Sequence, residues 1–426
     1  MKNTSRNIAL TLYETLGVLL PPLAALGFLC HPRGRRRLSE RFGCWSLQSD
    51  EVLWFHGASV GEVLGLLPII AACKEAFPNL KTLLTVTSPT GLDIATGKTD
   101  YQRLLPFDNV LWIRQALKGI KIKAFVFGET EIWPALFRYL AHKDVPLLLV
   151  NGRLSESSER FWRKPFFREV LRQCLSRLTK LFVINEKYRE RFIACGASAE
   201  IVLVNGNAKY DTTPSVPDRE SAKELKRSFF VADKPVLVLG SLRPKEEEVW
   251  FPALKSFSGI EDLSIVVAPR HQEKMNYFAS KLSEYGIEFE RRSELKEEGQ
   301  PCNSSVYLLD TLGELEKVYS FADLAFIGGT LVAGIGGHNP LEAAAYGVPI
   351  VLGRHCENID NVAEDLDKGG GLFWLHNKEE ATQLLKKLSD PSLKTMGKAA
   401  QSVWKQHRGA CLRIVQELQT LIAGRK

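Results

Sequence analysis

Two hydrophobic rhythms alternate along most of this chain. Short runs of Val, Leu, Ile and Phe, such as Val52-Leu53-Trp54-Phe55, are followed by longer stretches with apolar residues at helical spacing, such as 61–76. A continuous apolar run suits a strand buried on both faces. Its alternation with amphipathic helices is the rhythm of βαβ units in a parallel sheet. Further strands are predicted at 82–86, 124–127, 147–150, 180–184 and 201–204. Turn formers and two prolines then interrupt the pattern from Asp211 to Asp218, which reads as a linker. The rhythm restarts at 235–240, 263–268, 306–309, 324–327 and 349–352, and 381–423 is mostly helical. The predicted class is therefore α/β, with two doubly wound, Rossmann-like domains at 31–212 and 213–426, the second carrying the C-terminal helices. Open sheets of this kind bind ligands beyond the carboxyl ends of their strands, so motifs that follow strands are expected to form a two-part site.

Residues 8–30 are apolar except for Glu14 and a few small polar side chains, and His31-Pro32-Arg33-Gly34-Arg35-Arg36-Arg37 follows. The length is close to the ~20 residues that cross a bilayer as a helix, so 1–30 is read as a membrane anchor. Pro21-Pro22 leaves a shallow or kinked insertion open as well. The arginines outweigh Lys2 and Arg6, which places the following domain on the cytoplasmic side. They also oppose export as a cleavable signal peptide.

A length of 426 residues exceeds one ordinary core. The net charge of +7 is modest and spread along the chain, so nucleic acid is not the expected partner, and an anionic small molecule or lipid surface suits better. The eight cysteines lack C-x-x-C pairing, which fits a reducing compartment and small buried apolar roles. No histidine spacing suggests a metal, and no cofactor is implied.

The most informative stretch is Gly336-Gly337-His338-Asn339-Pro340-Leu341-Glu342. Asn339 is expected to cap a helix with Pro340 in its first turn. The glycines are expected to leave amides uncovered for a phosphate, and Glu342 is placed to accept from ribose hydroxyls. An ordinary capped loop-to-helix junction is the alternative. The turn Gly328-Gly329-Thr330 after a buried strand supplies a second wall. Glu62, at a helix start after a glycine turn, is expected to be held ionised by the helix and to take a proton from an attacking hydroxyl, or simply to complement the dipole. Glu129 and Glu131 follow a strand and, in an extended segment, would share one face, to bind sugar hydroxyls or orient a partner. Arg270 and His271 close another strand, where an arginine can fork onto a phosphate or lie on the surface. Lys209, beside the linker, either reaches an anion or is solvated. Arg160, Arg163, Lys164 and Arg168, interleaved with Phe161, Trp162, Phe166 and Phe167, form either a surface for anionic lipid headgroups or a helix with a buried aromatic face.

Taken in order, the motifs Phe55-His56-Gly57-Ala58-Ser59-Val60-Gly61-Glu62, Thr87-Ser88-Pro89-Thr90-Gly91, Glu129-Thr130-Glu131-Ile132-Trp133-Pro134, Asn151-Gly152-Arg153-Leu154-Ser155, Pro269-Arg270-His271 and the Gly336 stretch resemble the Kdo (3-deoxy-D-manno-octulosonic acid) transferases of lipopolysaccharide biosynthesis. The resemblance runs along nearly the whole chain. It implies a metal-independent, inverting GT-B glycosyltransferase that moves Kdo from CMP-Kdo to a tetraacylated, bis-phosphorylated lipid A precursor at the inner membrane. It maps the general base onto Glu62. It maps donor binding onto Arg270, His271, Gly328, Gly329, Thr330, Gly337, Asn339 and Glu342, with Asn358 a further candidate. Ser59, Ser88, Glu129, Glu131, Arg153 and Lys209 are the acceptor or cleft candidates. Where the family usually reads Ser-Thr-His-x-Gly-Glu-Glu, this chain has Ser241-Leu242-Arg243-Pro244-Lys245-Glu246-Glu247, so the role of that histidine is not carried onto Arg243. The rival readings are a GT-B transferase or epimerase using a UDP-sugar, separable by donor competition, and a tethered binding protein without turnover, which retention of Glu62 opposes.

Overall fold

Side chains alternate across a strand, and that alternation lets seven short apolar runs carry two cores at once. A computed structural model of the chain describes residues 13, 17, 35–47, 51–211, 214, 218–295 and 301–424. Strands β1 (Glu51–His56), β2 (Lys81–Val86), β3 (Tyr101–Leu104), β4 (Lys121–Gly128), β5 (Leu147–Gly152), β6 (Lys180–Val183) and β7 (Val202–Val204) pair in parallel in the order β3-β2-β1-β4-β5-β6-β7. Val52 and Trp54 of β1, Phe125 and Phe127 of β4, and Leu147 and Leu149 of β5 join the core on one face. Leu53, Phe55, Ala124, Val126, Leu148 and Val150 join the core on the other. Truncating a fully buried ring such as Phe127 would cost roughly 3–5 kcal/mol. Successive strands are added to one side of β1 and then to the other, so the ends of β1 and β4 flank the point where strand order reverses.

The second sheet repeats this plan. Its strands β8 (Val236–Leu242), β9 (Ser264–Pro269), β10 (Glu290–Arg291), β11 (Val306–Leu308), β12 (Leu324–Ile327), β13 (Ile350–Leu352) and β14 (Leu372–Trp374) run in the order β10-β11-β9-β8-β12-β13-β14, and every pairing is parallel. The strands not predicted from the sequence are β3, β10 and β14. Each lies at a sheet edge or ends one side of it, where a strand has no need of a continuous apolar run.

The chain divides into one unit of Met1–Asp211 with Arg408–Lys426 and a second of Thr212–His407. The expected assignment of all C-terminal helices to the second domain is thereby corrected. Ala410, Ile414, Val415 and Leu418 of the helix Ala410–Ala423 share a core with Leu66, Ile69, Ile70 and Cys73 of the helix Val60–Ala76. Asp211 receives the Gly409 and Cys411 amides at 2.5 Å each, and Arg413 donates to the Asn205 side chain at 2.7 Å. An apolar helical face cannot state from sequence alone which of two sheets it will cover. The expected anchor at 1–30 lies outside the described residues apart from Tyr13 and Gly17, as do 212–213 and 215–217 of the linker. Among the described residues no helix is long and apolar enough to cross a membrane. All described cysteines but Cys44 are buried, the small apolar role their spacing implied.

Candidate active site

After β1 the chain turns through Gly57-Ala58-Ser59 into the helix Val60–Ala76. Ser59 is the N-cap: its Oγ accepts the Glu62 amide at 3.2 Å and donates to Glu62 Oε1 at 3.0 Å. The Ala58 amide donates to Glu62 Oε2 at 2.8 Å, so a variant of the Ser-x-x-Glu capping box, with the carboxylate on the amide one residue before the N-cap, fixes it at the carboxyl edge of the sheet. Thr87, just beyond β2, braces the turn by donating to the Ala58 carbonyl at 2.7 Å. The expectation that the helix start holds Glu62 ionised is corrected. Burial, reinforced by the charges of Glu131 and Glu129, outweighs the Ala58 and Ser59 hydrogen bonds and pushes its carboxyl up to about 7. A half-buried carboxyl with that value is matched to proton transfer at neutral pH.

Glu129 and Glu131 are not in one extended segment, although both lie near Glu62. Glu129 sits in the left-handed region at φ 51, which breaks the extended geometry and turns the two carboxylates to different partners. Glu129 Oε1 lies 3.7 Å from Lys209 Nζ, and Glu131 Oε2 lies 3.6 Å from His56 Nε2. Lys209, in a short turn at Ala208–Tyr210, reaches the site by passing over Gly65. A Cβ at Gly65 would come within 2.8 Å of Lys209 Cε and 3.1 Å of Asn151 Nδ2. Asn151 is buried at the end of β5. It donates to the Gly65 carbonyl at 3.2 Å and accepts the Ala208 amide at 2.8 Å, pinning helix and turn together. Arg153 follows. Burial disfavours its charge, but Tyr188 and Glu129 outweigh that and raise its pKa. Ser88, next to Thr87 in the turn after β2, has its Oγ 2.5 Å from Thr90 Oγ1. The helices Glu156–Trp162 and Pro165–Leu175 carry the basic and aromatic stretch. Phe161 is 41% exposed, but Arg160 and Arg163 pair with Glu156 and Glu159 one turn earlier, at 3.7 and 3.4 Å. That stretch is thus less purely basic than its sequence suggests.

In the second unit the organising residue is one the sequence reading did not select. Glu246 is fully buried. Its Oε2 accepts the Arg243 amide at 2.8 Å and its Oε1 accepts the Thr330 and Leu331 amides at 3.0 Å each, clamping the turn after β8 to the turn after β12. Burial raises its pKa against those donors. The Gly328 turn is equally tight, since a Cβ there would lie 2.2 Å from the Ser241 carbonyl. The expected uncovered amides are corrected at Gly337, which donates to the Gly329 carbonyl at 2.8 Å, and the next amide, His338, donates to that of Gly328 at 3.2 Å. The helix after Asn339 is a single turn, Leu341–Ala344, too short to supply the expected dipole. Asn339 accepts the Leu341 amide at 3.0 Å and donates to Glu342 Oε1 at 3.2 Å. Burial raises the Glu342 pKa against that hydrogen bond. The Thr330 hydroxyl is internally satisfied, donating to the Ile327 carbonyl and accepting the Gly353 amide, both at 2.8 Å. Asn358 holds the Ile335 carbonyl at 2.7 Å. These two therefore shape the loop instead of offering free side chains.

Arg243, Arg270, His271 and His338 gather at the ends of β8, β9 and β12. The Arg243 guanidinium donates to His338 Nε2 at 3.2 Å and contacts His271 Nε2. Burial and the nearby charges of Arg270, Arg243 and His271 push the His338 pKa down to about 4. Arg270 is exposed. Among the described residues neither guanidinium has a carboxylate ion pair, so the cluster concentrates positive charge at these strand ends. Sequence reasoning had Arg270 and His271 but not Glu246, His338 or His56. The signal available for Glu246 was a Glu-Glu pair directly after a predicted strand and turn.

Residues 36–212 match the family model described as 3-deoxy-D-manno-octulosonic-acid transferase (kdotransferase). The chain is 29% identical to a 3-deoxy-D-manno-octulosonic acid transferase of Haemophilus influenzae, over 96% of this chain and 97% of that protein. It is 32% identical to one of Chlamydia trachomatis serovar D, over 75% of this chain and 74% of the other. Among solved structures it resembles a UDP-GlcNAc 2-epimerase from Neisseria meningitidis bound to UDP-GlcNAc, with a TM-score of 0.58 and 14% identity over 87% of this chain and 100% of that one. At that identity the likeness speaks to fold alone, and the fold is the expected GT-B type, with two Rossmann-like units.

Proposed function

Because this chain belongs to the Kdo transferase family, we propose that it moves Kdo from CMP-Kdo to the tetraacylated, bis-phosphorylated lipid A precursor, with inversion and without a metal, at the cytoplasmic face of the inner membrane. The observation that carries the reading is Glu62, a half-buried carboxyl raised to about 7 and oriented by a capping box at the point where strand order reverses. Glu62 takes the proton of an acceptor hydroxyl as its oxygen bonds to the anomeric carbon of Kdo, and the bond from that carbon to the CMP phosphate oxygen breaks on the opposite face. Lys209 and Arg153 are the cations of the first unit suited to the acceptor's phosphates, while Glu129, Glu131, Ser59 and Ser88 meet its hydroxyls. Negative charge on the departing CMP falls to Arg270, Arg243 and His271. Glu342 is the acceptor for ribose hydroxyls, and Gly328, Gly329, Thr330, Gly337, Asn339 and Asn358 shape its loop.

The test is a transfer assay with purified full-length protein, CMP-Kdo generated in situ and the tetraacylated precursor, read by mass in the presence of EDTA. Products spaced by Kdo increments, lost in Glu62→Gln, support the reading. No increment alongside an active control enzyme, or competition by UDP instead of CMP, overturns it.

A further inference from the structure

His56, the last residue of β1, has no exposed surface, and its Nε2 has no hydrogen-bond partner within normal range. That nitrogen lies 3.6 Å from Glu131 Oε2, and the His56 ring sits edge-on to Trp133 at 5.7 Å and stacked with Phe125 at 6.4 Å, centroid to centroid. A buried nitrogen so placed must be either a proton donor or a lone pair opposing a carboxylate, and the second is costly away from water.

The other side of the ring decides between them. Trp54 Nε1, which can only donate, donates to Thr85 Oγ1 at 2.8 Å. The single Thr85 hydroxyl proton then has two possible acceptors, His56 Nδ1 at 3.0 Å and the Phe55 carbonyl at a longer 3.3 Å. The Thr85 carbonyl, 3.1 Å from Nδ1, receives the Gly57 amide at 3.1 Å and keeps a second lone pair, so it takes an Nδ1–H only when the Thr85 hydroxyl does not donate to Nδ1. We propose that His56 is a positioning residue whose Nε2–H tautomer is set by the Trp54–Thr85 hydroxyl chain, and that this N–H holds Glu131 beside Glu62. The order of donation is Trp54 to Thr85 and Thr85 to His56, which leaves the Nε2–H directed at the Glu131 carboxylate 3.6 Å away, a charge–dipole contact longer than a hydrogen bond.

Holding Glu131 there has a consequence for Glu62. The groups facing Glu62 are Ser59 and the Ala58 amide from its own turn, and Glu129 and Glu131 from the loop after β4. Lys209 acts through Glu129 from the Ala208–Tyr210 turn, and Arg153 acts likewise from the end of β5. Of the two carboxylates, Glu131 is the one that His56 controls. The kinetic part of this proposal rests on the transferase reading, and the tautomer does not.

Full-length protein labelled with 15N-histidine, examined without substrate at pH 7 by long-range 1H–15N correlation, reads the tautomer directly, with His56 assigned by its loss in His56→Gln. The expected result is Nε2–H in the wild type and a switch to Nδ1–H in Thr85→Val. A wild-type Nδ1–H tautomer overturns the proposal. In transfer assays, His56→Leu and Glu131→Gln should each move the acid limb of kcat down by about one pH unit. The double variant should move it no further than Glu131→Gln alone. His56→Gln, whose amide nitrogen reaches the place of Nε2, should return the limb toward wild type. A His56→Leu enzyme that is weaker but keeps the wild-type limb makes His56 merely structural and ends the proposal. A wild type inactive on every donor would count against the transferase reading and leave the tautomer result standing.

Discussion

Glu62 and Glu246 occupy the same place in two copies of one architecture, and they act in opposite ways. Each stands at the head of the helix that follows the first strand of its sheet, and burial raises the pKa of each. Glu246 is closed off from solvent and committed to three backbone amides. Glu62 is half-buried, accepts one amide and one hydroxyl, and faces two other carboxylates. A carboxylate saturated with amide donors is a clamp. One with few donors and neighbouring negative charge keeps the capacity to take a proton. The same starting position thus yields a rigid loop support in one unit and, in the proposed transfer, a base in the other.

The contrast breaks most decisively at Glu62. Glu62→Gln should lower kcat of the proposed transfer by about 10²–10⁴-fold. It should not destabilise the fold. The ordinary carboxyl value of 4.5 is raised to about 7 on folding, so the unfolded chain ionises first, and the stability linked to this group is full below about 4.5 and falls as pH rises toward 7. Urea titrations should therefore find Glu62→Gln equal to wild type at pH 4 and more stable at pH 8, by roughly 1 kcal/mol once solvent screening of a half-exposed group is allowed for. Glu246→Ala should do the reverse. Three amides lose their acceptor, and denaturation should report a loss of roughly 3–5 kcal/mol at pH 7. Arg270→Ala should lower kcat/KM for CMP-Kdo roughly tenfold to a hundredfold, the value of one charge-assisted hydrogen bond, with the melting temperature unchanged. Gly65→Ala gives the smallest effect. Its Cβ displaces Lys209, and both a several-fold drop in acceptor kcat/KM and about 1 kcal/mol of lost stability are expected.

The central strands were legible because burial on both faces demands an uninterrupted apolar run, as in Leu147-Leu148-Leu149-Val150. Edge strands such as Glu290–Arg291 carry no such demand and left no signal. Glu62 was legible as a carboxylate at a helix start after a glycine turn, but its proton affinity was not, because it is raised chiefly by burial and then by two carboxylates more than sixty residues away in sequence. The glycine loop of the second unit was legible as a loop. Which of its amides remain free depends on Gly328 and Gly329 folding back against Gly337 and His338, which periodicity does not encode.

Local chemistry in the chain settled the repeated βαβ order, the turns that follow each strand, the capping box at Ser59 and Glu62, and the inventory of acids and cations beyond the strand ends. These follow from propensity and from spacing over a few residues. Long-range packing settled the rest. It returned the last helix to the first unit, buried Glu246 beneath two loops, paired Glu129 with Lys209, and set His56 against Glu131. Burial and the field of neighbouring charges are properties of the assembled fold, and they decide which of two similarly placed carboxylates keeps the capacity to accept a proton.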